Sequence, residues 1–147
     1  VGQDEPKTGA RAGGRASNVL DRLARLAEHA AVERTVLVDR AGLLIAAVPC
    51  PDRALVDRLA AAVAGLRSLA QGAATAIGKG SLRQVIVDTD AGYLYVIVMP
   101  DAAVLGVQTD PTADLAEVGY QAVLATEQIR PLLNDAVVQE LASLLPG

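Results

Sequence analysis

The stretch Asp52–Ile77, DRALVDRLAAAVAGLRSLAQGAATAI, decides how the rest of the chain is read. It holds no proline and is half alanine and leucine, the strongest helix formers. At about 1.5 Å per residue it predicts a single helix of roughly 39 Å, about twice the mean helix length in globular proteins. Asp52 offers an oxygen to cap its first turn. Leu55, Val56, Leu59, Ala62, Val63, Leu66, Leu69, Ala70, Ala73 and Ile77 form a broad arc of larger apolar side chains, which calls for a sheet beneath it. Beside the arc runs a stripe of small residues, Ala54, Ala61, Gly65, Ser68 and Gly72, which would let another backbone approach closely.

Upstream of this helix, the apolar runs Thr35–Val38 and Leu43–Val48 flank the turn Asp39-Arg40-Ala41-Gly42 and predict a β-hairpin, stopped by Pro49-Cys50-Pro51. Before the hairpin, Leu20, Leu23, Ala27 and Ala30 recur at helical spacing behind the capping candidates Ser17 and Asn18. Residues 1–17, rich in glycine, charge and small side chains, are expected to be a flexible tail. Downstream, Gly78-Lys79-Gly80 ends the long helix, and three strand-like runs follow: Leu82–Val87, Tyr93–Met99 and Val104–Gln108. The middle run, YLYVIVM, is apolar throughout, as a strand covered on both faces would be. Asp110-Pro111 reads as the start of a further helix, with Leu115, Val118, Ala122, Ala125 and Ile129 on one face and Pro131 at its end. Val137, Val138, Leu141, Leu144 and Leu145 suggest a short amphipathic segment over residues 134–147.

Short turns between the strands favour antiparallel neighbours. The expected architecture is an α/β (α+β) domain over residues 18–133, a five-stranded antiparallel sheet flanked by helices in the order α-β-β-α-β-β-β-α.

Composition narrows the function. A net charge of -4 and a ring content limited to Tyr93, Tyr95 and Tyr120 argue against nucleic acid as a partner. Residues 109–147 carry six acids against Arg130 alone, whereas residues 52–80 carry four bases against two acids. Cys50 is the only cysteine, which rules out an internal disulfide and disfavours a structural zinc site. No apolar leader opens the sequence and no run approaches the roughly 18 apolar residues of a membrane span. A cytoplasmic protein without membrane insertion is expected.

The chemical motifs are weak. Gly78-Lys79-Gly80-Ser81 misses the spacing of a phosphate-binding loop, G-x-x-x-x-G-K-[ST], and follows a helix instead of a strand; it reads as a glycine helix stop. His29 is the only histidine and stands near the end of the first helix, without a partner that would make it a general base. Cys50 between two prolines reads as packing. Asp88 and Asp90 fit turn chemistry better than a metal pair. Tyr93 and Tyr95 share one side of their strand and read as core or dimer packing. No catalytic residue, metal site or cofactor is expected, and the chain is read as a non-enzyme that binds other proteins. The polar strip Arg53, Asp57, Arg67, Gln71 and Thr75 on the long helix is either a solvated face or a docking surface.

This layout resembles the Roadblock/light-chain-seven domain. The resemblance rests on VLVDRAGLLIAA (Val36–Ala47), LAAAVAGLRSLAQGAATAIGKG (Leu59–Gly80), RQVIVDTDAGYLYVIVM (Arg83–Met99) and DLAEVGYQAVLA (Asp114–Ala125). The Gly65–Ala70 core, GLRSLA, is similar to that of actinobacterial members. The resemblance implies a homodimer in which the long helices pair antiparallel and the third strands join edge to edge. Ala54, Ala61, Gly65, Ser68, Gly72, Arg83, Val85 and Val87 are then the expected dimer contacts, and Arg53, Arg67 and Gln71 the expected contacts for a further partner. Bacterial members are similar to the regulator of the gliding-polarity GTPase, so the implied partner is a small Ras-like GTPase. A pure scaffold with no effect on nucleotide turnover and a small-molecule sensor are the competing expectations.

Overall fold

The computed structural model describes residues 4–147, with side chains from Ala12 onward. Helix α1 (Asp4–Ala27) leads into the hairpin β1 (Val32–Val38) and β2 (Leu44–Val48), followed by the long helix α2 (Arg53–Ala76). Strands β3 (Gln84–Thr89), β4 (Gly92–Met99) and β5 (Ala103–Thr109) form a meander, and α3 (Leu115–Ile129) returns over the sheet. A 3-10 turn at Arg130–Leu132 then redirects the chain into α4 (Asp135–Ser143).

The five strands form one sheet in the order β2-β1-β5-β4-β3, every neighbouring pair antiparallel. β1 and β5, far apart in sequence, pair at the centre, with Val36 opposite Gly106 and Leu37 opposite Leu105. Two cores lie on the two faces. On one, α1, α3 and α4 cover Leu37, Ile45, Tyr95, Ile97, Leu105 and Val107; on the other, α2 covers Val36, Val38, Leu44, Val96 and Val104. The alternation of β4 thus places Tyr95 and Ile97 in the first core and Leu94 and Val96 in the second, as its unbroken apolar run predicts.

The ends of α2 are set locally. The Asp52 carboxylate accepts from Leu55 N at 3.2 Å, and Gly78, at φ +67°, follows the last turn in a conformation that glycine adopts without strain. Gly106 lets the helix approach β5: a Cβ there would lie 2.7 Å from Val36 Cγ2 and 3.0 Å from Val63 Cγ2.

Two expectations need correction. α1 begins at Asp4 and not at Ser17, so most of the stretch expected as a flexible tail is helical; residues 1–3 lie outside the described part. Gly13 and Gly14 each cost a helix interior about 1 kcal/mol relative to alanine, but Ala16 is completely buried and Ala12 packs against the same core. Tertiary packing outweighs propensity there. The cap of α3 is Asp114, whose carboxylate accepts from Ala116 N and Glu117 N; Asp110 instead closes a turn with Thr112. The short amphipathic segment expected over residues 134–147 contains α4, whose Val137 and Leu141 are buried in the α1–α3 core.

Candidate interaction surface

The two edges of the sheet are treated differently by the chain. Beyond α4, Leu145 packs against the α2-side core, and the Pro146 carbonyl accepts from Arg53 Nη1 at 2.9 Å. The C-terminal segment therefore passes from one face of the sheet to the other around its β2 edge. At the opposite side β3 pairs with β4 alone.

The free edge of β3 has a definite polarity. The Arg83 carbonyl accepts from Val98 N at 3.0 Å, pointing into the sheet. By the alternation of an antiparallel ladder, Gln84, Ile86 and Asp88 turn their N–H and C=O groups outward. Ile86 is 43% exposed on this edge, while Val85 and Val87 are half-buried on the α2 side. An unpaired apolar edge of this kind is a template for another strand.

α2 is one unbroken helix, but only Val56, Ala60 and Val63 are buried against the sheet. Full burial of the two valines contributes about 1.5–3 kcal/mol each. The apolar arc read from the sequence is wider than this contact. Leu55 is 37%, Leu69 78% and Ile77 69% exposed. With about 100° per residue, Leu59, Leu66 and Ala73 stand about a quarter-turn from the sheet-facing line, and Leu59 and Leu66 share a cluster with Val85 and Leu94. The outcome is a half-covered leucine flank beside the sheet.

The small stripe Ala54, Ala61, Gly65, Ser68 and Gly72 is exposed throughout and points away from the sheet. A Cβ at Gly65 or Gly72 would meet nothing within 4 Å. Among the described residues nothing covers this stripe.

The expected partner contacts are not equivalent. Arg53 already donates to Asp57 Oδ1 at 3.0 Å and to Pro146 O. Gln71 accepts from Leu82 N at 2.9 Å and donates to Gly80 O and Thr75 Oγ1, holding the loop into β3. Arg67 is half-buried beside the β4–β5 turn, lining a cleft of about 250 Å³ with Gln71, Arg40 and Asp101. Arg83 is exposed at the start of the free edge.

The remaining candidates read as structural. Tyr95 is buried, donates from its hydroxyl to Leu115 O at 3.2 Å, and has its pKa pushed above the ordinary phenol value by burial first, then by Tyr93 and Asp114. Tyr93 packs beside it. Cys50 packs against the α2-side core. Among the described residues no three His, Cys, Asp or Glu side chains gather as metal ligands, and no helix is long and apolar enough to cross a membrane. Sequence reasoning missed the exposed leucine flank and the C-terminal wrap. The spacing of Leu55, Leu59, Leu66 and Leu69 was visible, but not that the sheet covers only one border of the arc.

Comparison with known proteins agrees with this geometry. The Roadblock/LC7 domain model matches residues 19–109. A Roadblock/LC7 domain from Streptomyces avermitilis is 28% identical, with 75% of this chain and 92% of that one aligned at a TM-score of 0.71. MglB from Myxococcus xanthus is 23% identical over 78% of this chain and 94% of its own, with a TM-score of 0.72. The gliding protein MglB from Thermus thermophilus is likewise 23% identical, over 80% and 90% of the two chains, with a TM-score of 0.72. No curated protein matches the sequence. With the element order, the sheet topology and the family match in agreement, the chain belongs to the Roadblock/LC7 domain family.

Proposed function

We propose that this protein is a non-enzymatic homodimer that regulates or scaffolds a small Ras-like GTPase. The observation that carries the reading is the coincidence of two unsatisfied surfaces, the free edge of β3 and the leucine flank of α2. A two-fold axis through the β3 edge satisfies both. It extends the sheet into a second copy and sets two α2 helices side by side, burying the leucine flank.

Side chains select the register. Centring the axis on Ile86 places it opposite its own copy, Val85 opposite Val87 of the partner, and Gln84 opposite Asp88. A shift of one residue in either direction would set Ile86 against Gln84 or Asp88. Helices lying side by side on a continuous sheet meet at their flanks, so the contact falls on Leu59, Leu66 and Ala73. The small stripe, expected from the sequence at the dimer contact, then faces outward on each protomer. It provides a shallow surface open to a further protein, with Arg67 about a third of a turn away in the cleft beside the β4–β5 turn.

The likeness to gliding-polarity regulators supports the GTPase as that protein. Light scattering is expected to give about twice 15.1 kDa. Titrating the dimer into a candidate Ras-like GTPase is expected to alter GTP hydrolysis or nucleotide exchange. Binding with both rates unchanged would assign the protein a scaffolding role, and absence of binding would overturn the reading.

A further inference from the structure

We propose that the groove between α3 and the β3–β4 side of the sheet docks an acidic, amphipathic segment of a partner protein. This goes beyond the proposed GTPase role and lies on the face of the sheet opposite α2; it shares Arg83 and Gln84 with the β3 edge proposed to pair, so its test is placed on Lys79, Val123 and Arg130, which lie outside that edge.

The groove arises because α1, α3 and α4 cover the β2 side of the sheet on their face and do not extend over β3. It encloses about 910 Å³. Its floor is apolar, with Ile97 and Met99 exposed at only 5% and 2%, and its α3 wall carries Val123, 39% exposed. Three cations stand around it: Lys79 from the loop after α2, Arg83 at the start of β3, and Arg130 at the end of α3. Among the described residues none of the three makes an ion pair; the two salt bridges there join Arg25 to Asp21 and Arg53 to Asp57.

One carboxylate, Glu127, also lines the groove. The rim thus carries three positive charges against one negative in a chain whose net charge is -4. A local inversion of sign above an aliphatic floor is complementary to a ligand with aliphatic side chains on one face and carboxylates on the other. A nucleotide fits less well, because no aromatic side chain lines the groove to stack a base. A peptide fits its shape, since the lining residues Val123 to Arg130 span about two turns of α3, or ~10 Å. Glu127 further requires that the peptide present an amide or a base, and not a carboxylate, opposite the second of those turns.

The test is fluorescence polarisation with a labelled synthetic helix that has leucines at i, i+3, i+4 and i+7, one glutamine placed to meet Glu127 and glutamates elsewhere, alongside a copy carrying lysines in place of the glutamates. Saturable binding of the glutamate peptide is expected, weakening with salt. It is expected to be at least about tenfold weaker to Lys79→Glu/Arg130→Glu, since each exposed pair contributes a modest increment. Both positions are exposed, so the fold is expected to survive, with an unchanged circular-dichroism melt as the check. Val123→Asp, which charges the wall without touching the rim, is expected to weaken binding comparably. The proposal is overturned by no saturable binding, by equal binding to wild type and variants, by equal affinity for the lysine peptide, or by displacement with millimolar inorganic phosphate.

Discussion

Arg53 Nη1 and the Pro146 carbonyl oxygen, 93 residues apart in sequence, are joined at 2.9 Å. The bond ties the end of the chain to the first turn of α2. Together with Leu145 it holds the C-terminal segment around the β2 edge. A protomer that covers one sheet edge and leaves the other bare directs strand pairing to a single place.

Removing residues 144–147 should therefore do more than shorten a tail. Losing the half-buried Leu145 contact is expected to destabilise the protomer by about 1–2 kcal/mol and lower Tm by roughly 5 °C. The freed β2 edge should also yield higher oligomers in size-exclusion chromatography. Arg53→Ala alone loses two exposed interactions, the bond to Pro146 O and the ion pair with Asp57, together about 1 kcal/mol, and should keep the wild-type elution volume.

The proposed register has a sharp consequence at Ile86. Ile86→Lys and Ile86→Glu each place like charges opposite each other across the two-fold axis and forfeit apolar burial. Each variant alone is expected to dimerise about 30- to 150-fold more weakly, from roughly 2–3 kcal/mol. Mixed in equal amounts they should form a heterodimer, because lysine then faces glutamate. Analytical ultracentrifugation of the mixture decides; two variants that remain monomeric when mixed would rule out a register centred on Ile86.

The two exposed lines of α2 separate under mutation. Gly65→Ala replaces a glycine in an exposed helix interior where a Cβ meets nothing within 4 Å. It should stabilise the fold by about 0.5–1 kcal/mol, read from thermal or denaturant melts. Gly65→Leu should leave the dimer intact while blocking a partner on the outer face. Leu69→Asp, at a position 78% exposed in the protomer, should split the dimer without unfolding it. A monomeric Gly65→Leu beside a dimeric Leu69→Asp would transfer the interface to the small stripe.

Tyr95 governs the alkaline limb of stability. Burial raises its pKa in the folded protein above the unfolded value near 10. The stabilisation it contributes is thus fully present below about pH 10 and is lost as pH rises through the folded pKa. Tyr95→Phe should cost about 0.5–1.5 kcal/mol at neutral pH, from the lost bond to Leu115 O. It should also flatten the fall in stability above pH 10, checked by urea titration at several pH values.

Much of the fold was legible because local rules sufficed. Asp52 caps α2 as its position implied, Gly78 stops it, and the apolar run of β4 is covered on both faces. The errors fell where tertiary contacts override local preference. Glycines in α1 suggested a tail, yet Ala16 is buried and the helix extends to Asp4. Asp110-Pro111 looked like a cap, yet the helix begins after Asp114. Of the candidate site, Arg83, Val85 and Val87 were found on the free edge, whereas Lys79 and Arg130 could not be associated, being 51 residues apart and joined only by the groove they line.

Periodicity and turn chemistry by themselves determined which segments from residue 18 onward are helices and strands, their order, and that α2 carries a broad apolar surface. Those properties depend on residues a few positions apart. Folding in three dimensions decided which border of that surface stays bare, that β1 meets β5 at the centre, and that the chain's end closes one sheet edge and leaves β3 open. These are relations between distant segments, which spacing along the chain does not encode.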